Sequence, residues 1–104
     1  MSYTVRILPV AAQERRRIFD YIHDRSPQSA ESWEAAYEAA LTRLEKDPQI
    51  YGLAEESNHF DFALRQLLFR TRSGLTYRLL FRVDEDQVTI YRLRGPGQAP
   101  LKDH

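Results

Sequence analysis

Apolar positions change their spacing along this chain, and each change marks a different kind of element. Tyr3-Thr4-Val5-Arg6-Ile7-Leu8 opens with alternation, so that Tyr3, Val5 and Ile7 share one side of a short strand. Pro9 ends the strand and suits the first position of a helix, where its missing N–H leaves no bond unmade. From Val10 to about Asp24 the apolar residues Ala11, Ala12, Ile18, Phe19 and Ile22 recur at helical spacing, and Glu14 to Arg17 are expected to cover the outside. Ser26-Pro27 repeats the start signal, now with a capping hydroxyl, and the second helix runs to about Lys46. Its stripe is Ala30, Trp33, Tyr37, Ala40, Leu41 and Leu44, in alternating threes and fours. That stripe is too short for a coiled-coil seam and reads as a core face. Lys46 suits the C-terminal end of the helix dipole, and Pro48 forbids helical geometry at Asp47. A link this short predicts an antiparallel helical hairpin.

Residues 49 to 62 lose the periodicity and predict a connecting loop with room for one helical turn. Alternation then returns. Ala63 to Arg70 is a strand, Ser73-Gly74 a turn, Leu75 to Val83 a second strand, Asp84-Glu85-Asp86 a second turn, and Gln87 to Arg94 a third strand. Gly95 to Pro100 cannot form a regular element. The predicted class is α+β: two layers in the order β-α-α-β-β-β, with the helical hairpin packed on one face of a mostly antiparallel sheet and the other face open. In the second meander strand Tyr77, Leu79, Phe81 and Val83 take the core side, which leaves Arg78, Leu80 and Arg82 on the open side. Leu67-Leu68-Phe69 breaks the alternation, so the faces of Arg65 and Arg70 stay undecided.

A chain of 104 residues is the size of one domain with one core, expected here over residues 1–104. It has no cysteine, which removes disulfides and thiolate metal sites. No apolar run approaches a membrane span and no leader is visible, so the cytoplasm is the expected compartment, with no membrane partner. Net charge is zero, but its distribution is uneven. Residues 1–62 carry seven Lys and Arg against eleven Asp and Glu, whereas residues 63–104 carry eight against four. Arg65, Arg70, Arg72, Arg78, Arg82, Arg92 and Arg94 supply most of the second half's charge, as one electropositive face or as solvated strand arginines.

Several segments together resemble the RelE/ParE superfamily of toxins from type II toxin–antitoxin systems. Pro9-x-Ala11 and Ile18-Phe19-Asp20-Tyr21-Ile22 are similar to that family's opening strand and first helix. Ser26-Pro27, Ala30 and Trp33 resemble the start of its second helix, and Leu44 and Pro48 its end. Leu64-Arg65, Tyr77-Arg78-Leu79-Leu80-Phe81 and Val88 to Arg94 followed by Gly95 to Leu101 resemble its meander and tail. Each pattern is short; their order and spacing carry the resemblance. It implies a small toxin, growth-inhibiting when free of a cognate antitoxin encoded in the same operon. RelE-like members cut messenger RNA on the ribosome, ParE-like members poison DNA gyrase, and some members have lost detectable toxicity. Plasmid stabilisation is a role the resemblance also implies.

Fold alone does not choose among these activities. Metal-free RNA cleavage needs a base for the 2′-hydroxyl, cations on the phosphate and an acid for the leaving oxygen. Arg78 matches the strand arginine that RelE-like nucleases set on phosphate, and Arg65, Arg82, Arg92 and Arg94 are further target- or phosphate-binding candidates. The proton carriers are missing. Lys46 and Lys102 are the only lysines, no histidine lies in the meander, His59 reads as a loop residue and His104 is terminal. Tyr91 reads as packed. No catalytic residue, cofactor or metal is therefore assigned. The expectation is a ParE-like toxin that acts by binding DNA gyrase, not as an enzyme. The alternatives are a metal-free, ribosome-dependent endoribonuclease and a non-toxic interaction module that offers an exposed sheet edge.

Overall fold

The computed structural model describes residues 2–98. The chain runs β1 (Thr4–Ile7), α1 (Pro9–Arg25), α2 (Pro27–Lys46), β2 (Arg65–Arg70), β3 (Thr76–Asp84) and β4 (Gln87–Arg94). Two short 3₁₀ helices, Pro48–Ile50 and Glu55–His59, lie between α2 and β2. The expected order and class are present. Residues 99–104, which include the end of the expected tail, Lys102 and His104, lie outside the described residues.

One residue separates the two helices. The Ser26 N–H donates to Ile22 O at 2.8 Å and closes α1. Its hydroxyl accepts from the Ser29 N–H at 3.2 Å and caps α2. Pro27 takes the first helical position of α2, where its missing N–H leaves no bond unmade, and the chain reverses within one residue. Among the described residues no helix is long and apolar enough to cross a membrane.

The sheet has the order β1-β4-β3-β2; β1 pairs with β4 in parallel, and the two meander pairings are antiparallel. Gly74, at φ 89°, supplies the left-handed residue of the β2–β3 turn. Register shifts once between β3 and β4, since Leu80 faces Arg92 while Phe81 faces Ile90. Tyr91 is thus the extra residue of a bulge.

The core lies between the hairpin and one sheet face. Trp33, Tyr37, Ala40 and Leu44 are buried against Leu67, Phe69, Tyr77, Leu79, Phe81, Val88, Ile90 and Leu93, with Leu41 half-buried at the margin. Aromatic rings stack within each layer, Trp33 on Tyr37 and Phe69 on Tyr77, and Trp33 meets Tyr77 edge-on across the layers at 5.8 Å.

The second sheet face is not open, which corrects the sequence expectation. The loop before β2 folds across it. The Ala54 N–H donates to Leu64 O, the Gln66 N–H to Gly52 O, and the Leu64 N–H to the Ser57 hydroxyl. Ala54, Leu64 and Leu80 are buried there, flanked by Phe60, Phe62 and Tyr91. Leu80 explains the arrangement: on an open face its side chain would stand in water, and burying it contributes about 1.5–3 kcal/mol.

Candidate functional site

The five candidate arginines do not form one patch. Pairing places Arg65 opposite Phe81, on the helix-covered side, where its guanidinium donates to Tyr51 O at 2.8 Å. That settles the parity of β2: Leu67 and Phe69 face the core, and Gln66, Leu68 and Arg70 face away. Arg82 shares a face with Arg78 but lies four residues further along β3, where its guanidinium sits 4.5 Å from the centre of the Phe62 ring.

Arg78, Arg92 and Arg94 do come together. Arg78 pairs with Arg94 across β3 and β4, and Arg92 lies two residues away on the same strand. Two carboxylates on other elements hold this group. Glu56, in the second 3₁₀ helix, has a fully buried side chain and accepts from Arg78 Nη1 at 3.0 Å and Nη2 at 2.7 Å. Arg78 Nη1 also donates to Gln66 Oε1 at 2.9 Å. This two-point contact is the strong form of a guanidinium–carboxylate pair. The hydrogen bond to Glu56 is the main reason that Arg78 is held above the usual guanidinium pKa.

Glu14 holds the other two. Sequence spacing assigned it to the outer side of α1; the structure corrects this, for Glu14 is buried. The reason lies in topology. β1 stops at Ile7 while β4 continues to Arg94, so the β1-side edge of β4 loses its partner strand halfway. Glu14 covers that edge: its Oε1 accepts from the Leu93 N–H at 2.8 Å, and its Oε2 accepts from Arg92 Nε and Nη2 at 2.9 and 2.6 Å. Arg94 Nη1 stands 3.6 Å from the same oxygen. Burial, reinforced by the charge of Arg92, pushes the Arg94 guanidinium below its ordinary pKa.

This geometry decides what the group can do. A phosphate that took over the Arg78 Nη1 and Nη2 contacts would displace a carboxylate that has no exposure of its own, and leaving one member of a buried pair unmatched costs roughly 3–5 kcal/mol. Arg92 is committed in the same way to Glu14. His59 is exposed on the loop, and Tyr91 is half-buried beside Phe60 and Phe62, 5.3 Å from the Phe62 ring centre. The cluster is therefore an internal charge network tying α1, the loop and the meander together.

Sequence reasoning missed both carboxylates. For Glu14 a signal existed, since Ala11, Glu14, Ile18 and Ile22 fall at intervals of three, four and four on one helical face. For Glu56 there was none, because an acid in an irregular loop looks the same whether it faces water or a buried arginine.

Compared with known protein families, residues 5–100 fit the family described as "ParE toxin of type II toxin-antitoxin system, parDE". No curated protein matches the chain.

Proposed function

We propose a function from one premise: the chain belongs to the ParE toxin family of type II toxin–antitoxin systems. Membership implies a cognate antitoxin partner. Our reading is that residues 1–104 act as one toxin domain in the cytoplasm, arresting growth when the antitoxin encoded in the same operon is absent. The arrest comes from binding DNA gyrase and not from cutting RNA, and plasmid stabilisation is its biological setting.

One observation carries the choice against RNA cleavage. Arg78, the arginine best matched to a phosphate, is spent on the buried Glu56, and Arg92 is spent on Glu14. An RNA-cleaving site would need these cations on the substrate as well as a proton donor and acceptor. A protein that works by binding needs neither.

The test is induced expression of the chain alone and with its antitoxin, scoring growth, DNA breaks and message integrity. Arrest with intact message and accumulating breaks, relieved by the antitoxin, is the expected result. Rapid codon-positioned cutting of messages, abolished by Arg78→Ala, would replace this reading with the nuclease.

A further inference from the structure

Two of the candidate arginines are held in place without being neutralised. Arg65 spends one guanidinium N–H on Tyr51 O at 2.8 Å, and the Arg82 guanidinium rests 4.5 Å from the centre of the Phe62 ring. Among the described residues no carboxylate comes within ion-pair distance of either. Both line a cleft of about 360 Å³ at the end of the sheet where β2 begins, together with Gln49, Phe62, Val83 and Glu85. They enter it from opposite faces, because Arg65 pairs with Phe81 and the next residue of β3 turns the other way. The backbone adds a third donor. β3 continues to Asp84, but β2 starts only at Arg65, opposite Phe81. Every second residue of an antiparallel ladder turns its N–H to the same neighbour, so Val83 points its N–H past the start of β2. Among the described residues no backbone carbonyl accepts it there.

We infer that this cleft binds a phosphate group, carried by a small molecule or by a nucleic-acid backbone. The inference uses only the contacts of the cleft and does not depend on the toxin reading. Charge sets the sign of the ligand. Two guanidiniums face one carboxylate, Glu85, which stands exposed on the β3–β4 turn and is free to turn to water. Geometry sets its shape. One guanidinium comes from each face of the sheet and the amide lies in the sheet plane, so the donors converge from three directions that share no plane. The oxygens of a tetrahedral phosphate meet all three, whereas a planar carboxylate leaves one unmet. Guanidinium is also the side chain best fitted to phosphate oxygens. The tethers to Tyr51 O and to the Phe62 ring order both arginines beforehand, which lowers the cost of fixing them on a ligand. Arg78 and Arg92 lack this freedom, because Glu56 and Glu14 hold them. The volume lies at the lower end of small-molecule sites, with room for a phosphate and the group that carries it.

The test labels the arginines with nitrogen-15 and follows their Nε–H resonances while the full chain is titrated with inorganic phosphate, acetate or a short DNA duplex. Ionic strength is held constant, so that screening does not imitate binding. Arg65→Gln and Arg82→Gln assign the two signals and remove one cation each. Arg70→Gln is the control, since Arg70 is exposed and does not line the cleft. Circular dichroism and the urea midpoint establish that the variants are folded. Arg65→Gln also gives up the bond to Tyr51 and Arg82→Gln does not, so a loss shared by both is not a loss of the loop. The expected result is a saturable shift of the Arg65 and Arg82 signals with phosphate and little response to acetate. Either cleft variant should weaken phosphate binding about 10-fold to 100-fold, Arg70→Gln should leave it within about twofold, and Glu85→Gln should strengthen it. A duplex that binds with the same dependence on Arg65 and Arg82 identifies a nucleic-acid phosphate as the ligand; a response to inorganic phosphate alone identifies a small phosphate compound. The absence of a saturable shift, an equal response to acetate, or an equal loss in Arg70→Gln overturns the inference.

Discussion

Removing the Glu56 carboxylate tests whether the loop before β2 is held by charge. In Glu56→Ala, Arg78 loses both bonds to Glu56 and keeps the one to Gln66 at 2.9 Å. Breaking a buried pair from one side costs roughly 3–5 kcal/mol. The Arg78 side chain is 20% exposed and can turn part of its guanidinium to water, which places Glu56→Ala near the lower end, about 3 kcal/mol. For a domain of this size that is a fall in Tm of about 12–24 °C. Arg78→Met should cost at least as much, because the carboxylate it leaves behind is fully buried. The double variant Glu56→Leu with Arg78→Met should regain most of the loss, since well-packed apolar residues substitute for a buried pair at little net cost. Urea titrations of wild type, Glu56→Leu, Arg78→Met and the double, followed by Trp33 fluorescence, give the four corners of a cycle, with Glu56→Ala measured beside them. If Glu56→Ala costs less than about 1 kcal/mol, or if the double loss equals the sum of the single ones, the pair does not hold the loop and the reasoning fails.

Other consequences can be measured on the same footing. Phe81→Ala and Leu44→Ala, both at fully buried positions, should cost about 2–5 kcal/mol in urea unfolding, and Leu41→Ala clearly less because Leu41 is half-buried; equal costs at all three would contradict the packing described. Glu14→Ala should speed exchange of the Leu93 amide hydrogen and destabilise by about 1–3 kcal/mol, with unchanged Leu93 protection as the contrary result. Burial raises the pKa of Tyr37 and Tyr77 above 10.0. Above that pH the unfolded chain gives up these protons before the folded one does, so stability is full below the unfolded value and lost as pH rises through the folded values. Tyr37→Phe should flatten this alkaline loss; a slope identical to wild type would assign it to other groups.

What the sequence revealed follows from how local each determinant is. Ser26-Pro27, the 30-33-37-40-44 stripe and the alternation through Tyr77, Leu79 and Phe81 are settled within a few residues, and they placed both helices and the meander correctly. The face of Arg65 was not local, because Leu67-Leu68-Phe69 is apolar on both sides and only pairing with β3 fixes it. The covered second face was partly readable. Leu80 is an apolar residue between two arginines on the expected open side, and Phe60 and Phe62 stand in a loop otherwise rich in polar residues. Of the candidate site, the arginines themselves were visible and their internal partners were not, since Glu14 and Glu56 lie 78 and 22 residues from the arginines they hold.

The parallel pairing of β1 with β4 has a consequence for synthesis. Residues 4–7 find their hydrogen-bond partners only at residues 87–90. At a translation rate of about 5–20 residues per second, the N-terminal strand waits roughly 4–17 seconds, and longer while β4 is still inside the ribosomal tunnel. The helical hairpin depends on neighbours in sequence and can form during that interval, while its apolar stripe still lacks the sheet that will cover it. During synthesis the sheet cannot close before β4 is made, because β4 lies between β1 and β3, and the partners of Glu14, Arg92 and Leu93, are on that strand. A nascent chain stopped just short of residue 87 would carry both helices and all of β3 yet have no closed sheet. Ribosome-stalled chains of increasing length should therefore gain protease resistance in one late step, once β4 has cleared the tunnel.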